Sequence, residues 1–257
     1  MPAALVAAMA EVPLSCALPG FQPDGVAVDH VFRIERLVPF LRLLEDAGVG
    51  RVIFAGAVTR PRLDPALFDP ETAELVPQLL AAMQAGDDAA LRGVIAIFEA
   101  AGLAVVGVPE VAPLLVPGAG VLCGAPSPRD SLDGARAAAI VAALGAVDVG
   151  QGAVVVQGLC LGVEVLTGTD AMLAGVAAMP GALRPDPALG RGVFYKAAKP
   201  GQDRRVDLPT LGVATVQRVA AAGLGGIVWQ AGAVICLDLA AMQAEAQAQG
   251  LFLWARL

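Results

Sequence analysis

The chain has 257 residues, of which 17 are Lys or Arg and 24 are Asp or Glu, and its formal net charge is −7. This negative balance disfavours nonspecific nucleic-acid binding, which depends on neutralising phosphates with Lys and Arg. Hydrophobic residues make up 57% of the chain, yet no run of about 18 consecutive apolar residues occurs, so we expect no membrane-spanning helix. His30 is the only histidine. That excludes polyhistidine metal sites and His-dependent nucleophiles, and it favours magnesium or manganese on oxygen ligands over zinc.

The first half of the chain predicts an α/β fold with an open, Rossmann-like parallel sheet. Apolar residues at helical spacing predict helices, and short apolar runs predict strands. The predicted helices cover 3–10, 35–47, 72–84 and 88–100, and the predicted strands cover 26–28, 51–55 and 103–108. Open parallel sheets bind ligands beyond the carboxyl ends of their strands. Gly56 and Arg60, which follow strand 51–55, are therefore candidate contacts for a phosphate or a uracil.

A Pro- and Gly-rich stretch over 117–128 marks a change of organisation. We predict an N-terminal domain over 1–125, a linker helix region over 126–150 and a C-terminal mixed α/β domain over 151–257. Ser127 or Asp130 is expected to cap the linker helix.

The second half predicts two β-hairpins, each followed by a helix. The predicted hairpins join 153–157 to 160–165, before a helix from Asp170, and 226–230 to 233–237, before a helix from Asp238. A strand over 193–195, a helix over 213–222 and a strand over 251–254 complete the prediction. The repeated order indicates a mixed α/β domain with internal pseudo-symmetry.

The four cysteines are widely scattered and form no CxxC pattern. We interpret them as buried, reduced thiols rather than as a zinc site.

A charged loop follows strand 193–195. Although only 16% of all residues are charged, six charged residues fall within 15 positions: Lys196, Lys199, Asp203, Arg204, Arg205 and Asp207. Pro200 and Pro209 exclude a regular helix or central strand here. A loop with both signs of charge on a rigid strand suits an anionic ligand and a cation. The plainer alternative is a solvated surface loop with a few ion pairs.

A second polar cluster comprises Glu164, Gly168, Thr169 and Asp170. Thr169 or Asp170 is expected to cap the next helix, and the backbone N–H groups near Gly168 would then hold an anion. A cap alone is the plainer interpretation, and it applies equally to Asp87 or Asp88 before helix 88–100.

Taken together, these clusters resemble the UDP-2,3-diacylglucosamine pyrophosphatases of lipid A synthesis, the type unrelated to calcineurin-like phosphoesterases. The motifs that carry the resemblance cover 55–61, 86–92, 148–151, Glu164 with 168–173, and 199–209. They follow the family's order over most of the chain. Relatives usually begin with a short strand and a Gly-rich turn, whereas this chain begins near the first helix. Either its start lies downstream of the family's or a central strand is lost, and the missing turn would ordinarily supply backbone N–H groups to an anion site.

The resemblance implies hydrolysis of the pyrophosphate bond of UDP-2,3-diacylglucosamine to UMP and 2,3-diacylglucosamine 1-phosphate, with Mg²⁺ or Mn²⁺ as cofactor. It implies a cytoplasmic enzyme that contacts the inner-membrane surface transiently, and it leaves a homodimer open. Two other functions are compatible with the residues. A noncatalytic nucleotide- or lipid-binding module would bind without turnover, and a sugar-nucleotide transferase would need an acceptor.

The predicted site residues fall into three overlapping groups. The catalytic group is Asp207, Asp203 and Lys199; the substrate-binding group is Gly56, Arg60, Asp87, Gly168, Thr169, Asp170, Lys196, Gln202, Arg204 and Arg205; the metal group is Asp203, Asp207 and Glu164. The basic side chains would neutralise a pyrophosphate while a carboxylate activates water. Asp203 and Asp207 would either share one magnesium ion or divide the roles of ligand and base.

Overall fold

A computed structural model describes residues 1–56, 63–84 and 87–257, and within these ranges the side chains of 78, 79, 81–84 and 87–89 are not described. The chain divides into two compact units, unit 1 (Met1–Ala112) and unit 2 (Pro113–Leu257). The helices are α1 (Pro2–Ala8), α2 (Leu37–Asp46), α3 (Pro70–Gln84), α4 (Asp87–Ala100), α5 (Val108–Val111), α6 (Pro128–Ala146), α7 (Gly168–Ala177), α8 (Val213–Ala221) and α9 (Leu239–Ala248). The strands are β1 (Cys16–Ala17), β2 (His30–Val31), β3 (Arg51–Val52), β4 (Ala104–Val105), β5 (Gly120–Cys123), β6 (Gly152–Val156), β7 (Leu159–Val163), β8 (Val193–Lys196), β9 (Thr210–Leu211), β10 (Gly226–Gln230), β11 (Ile235–Cys236) and β12 (Phe252–Arg256).

Unit 1 combines helices with short parallel strand pairs. β1 pairs with β2, and β3 pairs with β4, both in parallel. Helices α2, α3 and α4 correspond to three of the predicted helices, whereas the predicted strand over 26–28 is replaced by β1 and β2 on either side. Among the described residues these strands form two separate pairs. The Rossmann-like sheet of unit 1 therefore stays a prediction.

Unit 2 is built on one six-stranded mixed sheet, in the order β5-β12-β10-β8-β6-β7. Strands β8, β10 and β12 are parallel to one another. β5 and β6 run antiparallel to them, and β7, which pairs antiparallel with β6, runs in their direction. The carboxyl ends of the three parallel strands consequently meet at one edge, which we call the carboxyl edge.

Helices cover both faces of this sheet. On one face Ala137 and Val141 of α6 pack against Val155 and Tyr195. On the other face, α7, α8 and α9 contribute buried side chains to a larger cluster around Phe194 and Trp229. Strand residues alternate between these two clusters, because successive side chains of a strand point to opposite faces.

The first predicted hairpin is confirmed, and the second is wrong. β6 and β7 form an antiparallel hairpin. β10, in contrast, lies between β8 and β12, and β11 pairs in parallel with β9 in a separate two-stranded sheet. Gly232, which lies between β10 and β11, has a left-handed φ of +68°.

Helix α6, which lies in the predicted linker region over 126–150, belongs to unit 2. It packs on the sheet that contains β6 and β8, and Ser127 caps it in a reciprocal capping box with Asp130. The two compact units divide between Ala112 and Pro113, and the predicted domain bounds stay a prediction.

Two further predictions concern membrane-spanning helices and the burial of the cysteines. No helix in the described part of the chain is long and apolar enough to cross a membrane. All four cysteines are free thiols, but only Cys236 is buried; Cys160 is exposed, and Cys16 and Cys123 are half-buried. The expectation of four buried thiols is therefore wrong, since β7, which carries Cys160, is the last strand of the sheet.

Candidate active site

Polar side chains gather at the carboxyl edge of the unit 2 sheet. Lys196 is the last residue of β8, and Gly152, the first residue of antiparallel β6, lies opposite it. Glu164 follows the end of β7, and its backbone N–H donates to the carbonyl of Gly152 at 2.8 Å. The sheet topology thus brings Lys196 and Glu164 to the same point, although 32 positions separate them along the chain.

Three side chains form a buried hydrogen-bonded group, which we call the Glu164–Thr169–Lys196 network. The Lys196 ammonium donates to Glu164 Oε2 at 2.8 Å and to Thr169 Oγ1 at 2.5 Å. Thr169 Oγ1 donates in turn to Glu164 Oε2 at 2.6 Å. Lys196 is 5% exposed and Glu164 is 7% exposed. A buried charge must be paired and hydrogen-bonded to be tolerated, and this network satisfies both conditions.

Helix α7 brings Thr169 into this network, and its start corrects the predicted cap. The helix begins at Gly168, whose φ is +83°, and Thr167 occupies the cap position without a side-chain capping bond to the described residues. Thr169 and Asp170 lie inside the first turn. Asp170 is exposed and forms an ion pair with Arg218 at 3.1 Å. The hydroxyl of Thr169 therefore serves the network instead of capping the helix.

Two glycines shape the backbone around Glu164. A Cβ added at Gly150 would lie 1.9 Å from the carbonyl oxygen of Glu164, and one added at Gly152 would lie 2.7 Å from Glu164 Oε2. Both distances are far inside van der Waals contact. A side chain at Gly150 would require a shift of the backbone at Glu164, and one at Gly152 would displace the Glu164 carboxylate.

The charged loop after β8 is held by its own turn. Arg205 binds Asp203 through its side chain, with Nη2 2.7 Å from Oδ2, and through its backbone N–H, which lies 3.0 Å from Oδ1. The backbone N–H of Asp207 donates to the carbonyl of Asp203 at 3.1 Å. Asp203 and Asp207 are half-buried, while Arg204 is exposed. The two predicted catalytic carboxylates thus lie in one hydrogen-bonded turn.

Lys199 is paired with Asp148, which is not among the predicted site residues. Its ammonium donates to Asp148 Oδ1 at 2.7 Å, and its backbone N–H donates to Gln202 Oε1 at 3.2 Å. Asp148 follows α6 with a left-handed φ of +58°. Its place in motif 148–151 was the only sequence signal that pointed to it. Because the Asp148 side chain is 82% exposed, this pair is weak and leaves the Lys199 ammonium available for exchange of partners.

The donor set at this edge fits a magnesium ion only in part. Within the described ranges, no three His, Cys, Asp or Glu side chains come together as a metal-binding group. Glu164 is paired with Lys196 and Asp203 with Arg205. Magnesium in phosphate-handling sites is commonly held by one or two carboxylates together with substrate phosphates. The residues present suit that arrangement better than the predicted set of three carboxylates.

The predicted contacts in unit 1 are less fully described. Gly56 has a left-handed φ of +104° and closes the first described range. Arg60 lies outside the described residues. Asp87 begins α4, but its side chain is likewise outside the description.

A separate cavity of about 870 Å³ opens at the opposite edge of the unit 2 sheet, where β10 and β12 begin. Its lining includes small residues such as Gly124, Gly225 and Ala244. Of its charged residues, Asp130 is committed to the α6 cap, and Arg191 donates to the carbonyl of Gly250. The cavity is therefore not part of the polar cluster at the carboxyl edge.

Comparison with known proteins places both halves of the chain. Residues 3–115 match the LpxI N-terminal domain, and residues 118–254 match the LpxI C-terminal domain. The chain is also 42% identical over 212 residues to a protein of Caulobacter vibrioides named UDP-2,3-diacylglucosamine pyrophosphatase LpxI. That similarity covers 82% of this chain and 76% of the relative.

Proposed function

The chain belongs to the LpxI family, and from that premise we propose that it hydrolyses the pyrophosphate bond of UDP-2,3-diacylglucosamine to UMP and 2,3-diacylglucosamine 1-phosphate. The observation that carries this proposal is the 42% identity to a relative named for that pyrophosphatase activity, sustained over 82% of the chain. The polar cluster at the carboxyl edge supports the same chemistry, because cleaving a phosphoanhydride requires cations on its oxygens and a carboxylate beside the attacking water.

In this mechanism the basic residues bind the diphosphate. Lys196, Lys199, Arg204 and Arg205 neutralise its nonbridging oxygens, and the backbone N–H groups from Gly168 to Asp170 contribute at the start of α7. Gln202 contacts the substrate from the same loop. This charge stabilisation is worth most in the transition state, where negative charge on the departing phosphate grows.

The carboxylates of the charged loop act on water. Asp207 orients a water molecule and accepts its proton as the water oxygen attacks one phosphorus atom. The bond from that phosphorus to the bridging oxygen breaks, and the bridging oxygen leaves with the other phosphate. Asp203, paired with Arg205, keeps the loop turn in place. Direct attack by water requires no covalent intermediate on the protein.

We propose Mg²⁺, with Mn²⁺ as a substitute, as the cofactor. With Asp207 acting on water, Asp203 would hold it together with phosphate oxygens of the substrate. When bound, it supplies further neutralisation of phosphate charge. Asp203 is held by Arg205, but it is half-buried, whereas Glu164 is 7% exposed and is held by both Lys196 and Thr169; Glu164 is therefore the weaker ligand candidate.

Unit 1 is proposed to recognise the nucleotide through Gly56, Arg60 and Asp87, on a Rossmann-like sheet. The acyl chains of the substrate keep it in a membrane, so the protein is proposed to be cytoplasmic and to contact the inner-membrane surface during each encounter. Both proposals derive from the family resemblance and the chemistry of the substrate.

The test is release of UMP from UDP-2,3-diacylglucosamine in detergent micelles, with and without an excess of EDTA. We expect UMP in the presence of Mg²⁺ and none in EDTA. Binding without UMP release would support the noncatalytic module instead, and turnover that requires an added acceptor would support a transferase. Full UMP release in EDTA would remove the metal from the mechanism while leaving the hydrolase.

A further inference from the structure

The Glu164–Thr169–Lys196 network joins three elements at one point of the candidate site. Lys196 ends β8, Glu164 follows β7, and Thr169 lies in the first turn of α7. The two charged residues are almost fully buried, and their three contacts are 2.5 to 2.8 Å long. The network therefore fixes the ammonium of Lys196 relative to the start of α7.

A buried ion pair of this kind contributes little net stability to a core. Removing two charges from water is costly, and apolar residues of similar volume often serve a core equally well. The backbone is nevertheless built around Glu164, since Gly150 and Gly152 leave no space for a side chain beside it. A buried ion pair placed at the carboxyl edge, where open sheets bind their ligands, is better explained by what it positions.

The same contacts argue against Glu164 as a metal ligand. Its Oε2 accepts from an ammonium 2.8 Å away and from a hydroxyl 2.6 Å away. A divalent cation on that oxygen would lie within a few ångströms of the ammonium, and like charges at that range repel strongly in a buried site.

We infer that Glu164 is a positioning residue: through Thr169 and Lys196 it holds a preorganised cation beside the start of α7, where that cation meets a phosphate of the substrate. This inference rests on the proposed function and assigns Glu164 a role other than metal ligation. Glu164 acts through Lys196, so its loss matters only while Lys196 is present.

The experiment compares Glu164→Gln, Lys196→Met and the double variant, with Glu245→Gln as a matched control. Glu245 is a half-exposed carboxylate of α9 that accepts a bond from Gln249. For each variant kcat, KM and the Mg²⁺ concentration for half-maximal activity are measured, and folding is checked by thermal unfolding.

We expect Glu164→Gln to lower kcat about tenfold to a hundredfold, the range that loss of precise placement produces. The half-maximal Mg²⁺ concentration should change less than about twofold, and Glu164→Gln should add little in the Lys196→Met background. Glu245→Gln should match the wild type. A normal kcat, recovery of kcat at high Mg²⁺, or additive losses in the double variant would each overturn the inference.

If Glu164→Gln does not fold, Thr169→Val tests the inference instead, because this substitution removes one hydroxyl and leaves both charges. It should lower kcat in the wild-type background and not in Lys196→Met; unchanged turnover would overturn the inference.

A wild-type protein that releases no UMP would refute the proposed function without deciding the inference. Binding of inorganic pyrophosphate in EDTA, measured by calorimetry, then decides it. Glu164→Gln should weaken that binding about tenfold, and equal affinity of wild type and variant would overturn the positioning role.

Discussion

Asp203 and Asp207 lie in different surroundings within the charged loop. Asp203 is engaged by the side chain and the backbone of Arg205 and accepts the backbone bond from Asp207. Asp207 is followed by Leu208 and the buried Pro209, whose ring restricts the backbone. Because Pro209 restricts its backbone, Asp207 remains our candidate for the group that accepts a proton from water.

Replacing Asp207 by Ala should lower turnover by roughly a hundredfold or more, the scale of a positioned acid–base group. Substrate binding should largely survive, because the basic residues remain. UMP release and retention of substrate are measured together. Asp203→Ala should also reduce turnover, because it releases Arg205 and loosens the turn. A folded Asp207→Ala variant with normal turnover would contradict this assignment and leave Asp203 as the candidate base.

The cysteines give a second prediction at this scale. Burial raises the pKa of the Cys236 thiol to about 12, whereas Cys160 is exposed. Alkylation requires the thiolate, so at pH 8 the folded protein should react with iodoacetamide at Cys160 and not at Cys236. Raising the pH toward that pKa increases the thiolate fraction of Cys236 but does not expose it. Mass spectrometry of the native and the denatured protein identifies the labelled positions; rapid labelling of Cys236 in the native state would contradict the described core.

At the scale of elements, the backbone of Gly150, just before β6, packs closely against the backbone of Glu164. A methyl group at Gly150 would meet the backbone carbonyl of Glu164, which cannot rotate away as a side chain can. We expect Gly150→Ala to reduce the free energy of unfolding by about 1–3 kcal/mol, the usual cost of overpacking. Chemical denaturation provides the measurement.

Gly175 in α7 is the matched control. A Cβ there has open space around it, and alanine favours a helix over glycine by up to about 1 kcal/mol. Gly175→Ala should therefore leave stability unchanged or raise it. Equal effects of the two substitutions would show that the contact at Gly150 is unimportant.

Elements defined by local pattern could be predicted from the sequence. The helix predicted in region 126–150 and the hairpin over 153–165 appear as α6 and as β6 with β7, because periodicity, caps and a glycine turn are all local signals. The prediction of the second hairpin was wrong because β11 pairs with β9, about two dozen positions earlier. A short apolar run does not indicate which strand it will pair with. The Glu164–Lys196 pair was missed for the same reason: each residue was a candidate, but only the sheet order makes them neighbours.

At the scale of the whole molecule, unit 2 has what an independent domain needs. Its sheet is covered on both faces by its own helices, and its two buried clusters consist of its own residues. We expect the fragment 113–257 to fold alone and to unfold in one cooperative thermal transition, followed by circular dichroism. The same fragment with Trp229→Ala, which removes a fully buried side chain, should melt at a lower temperature. A fragment without a cooperative transition would show that unit 2 depends on unit 1.

The pairing of β9 with β11 has a further consequence for motion. The charged loop leaves the sheet at Lys196 and re-enters regular structure at Thr210, so both of its ends are anchored by strand pairing. Because both ends are fixed, the loop can rearrange between them but cannot swing away as a lid with one hinge would. Lengthening such a span costs only a logarithmic increment of entropy, so insertions near the exposed Gly201 should be tolerated by the fold even where they disturb the chemistry.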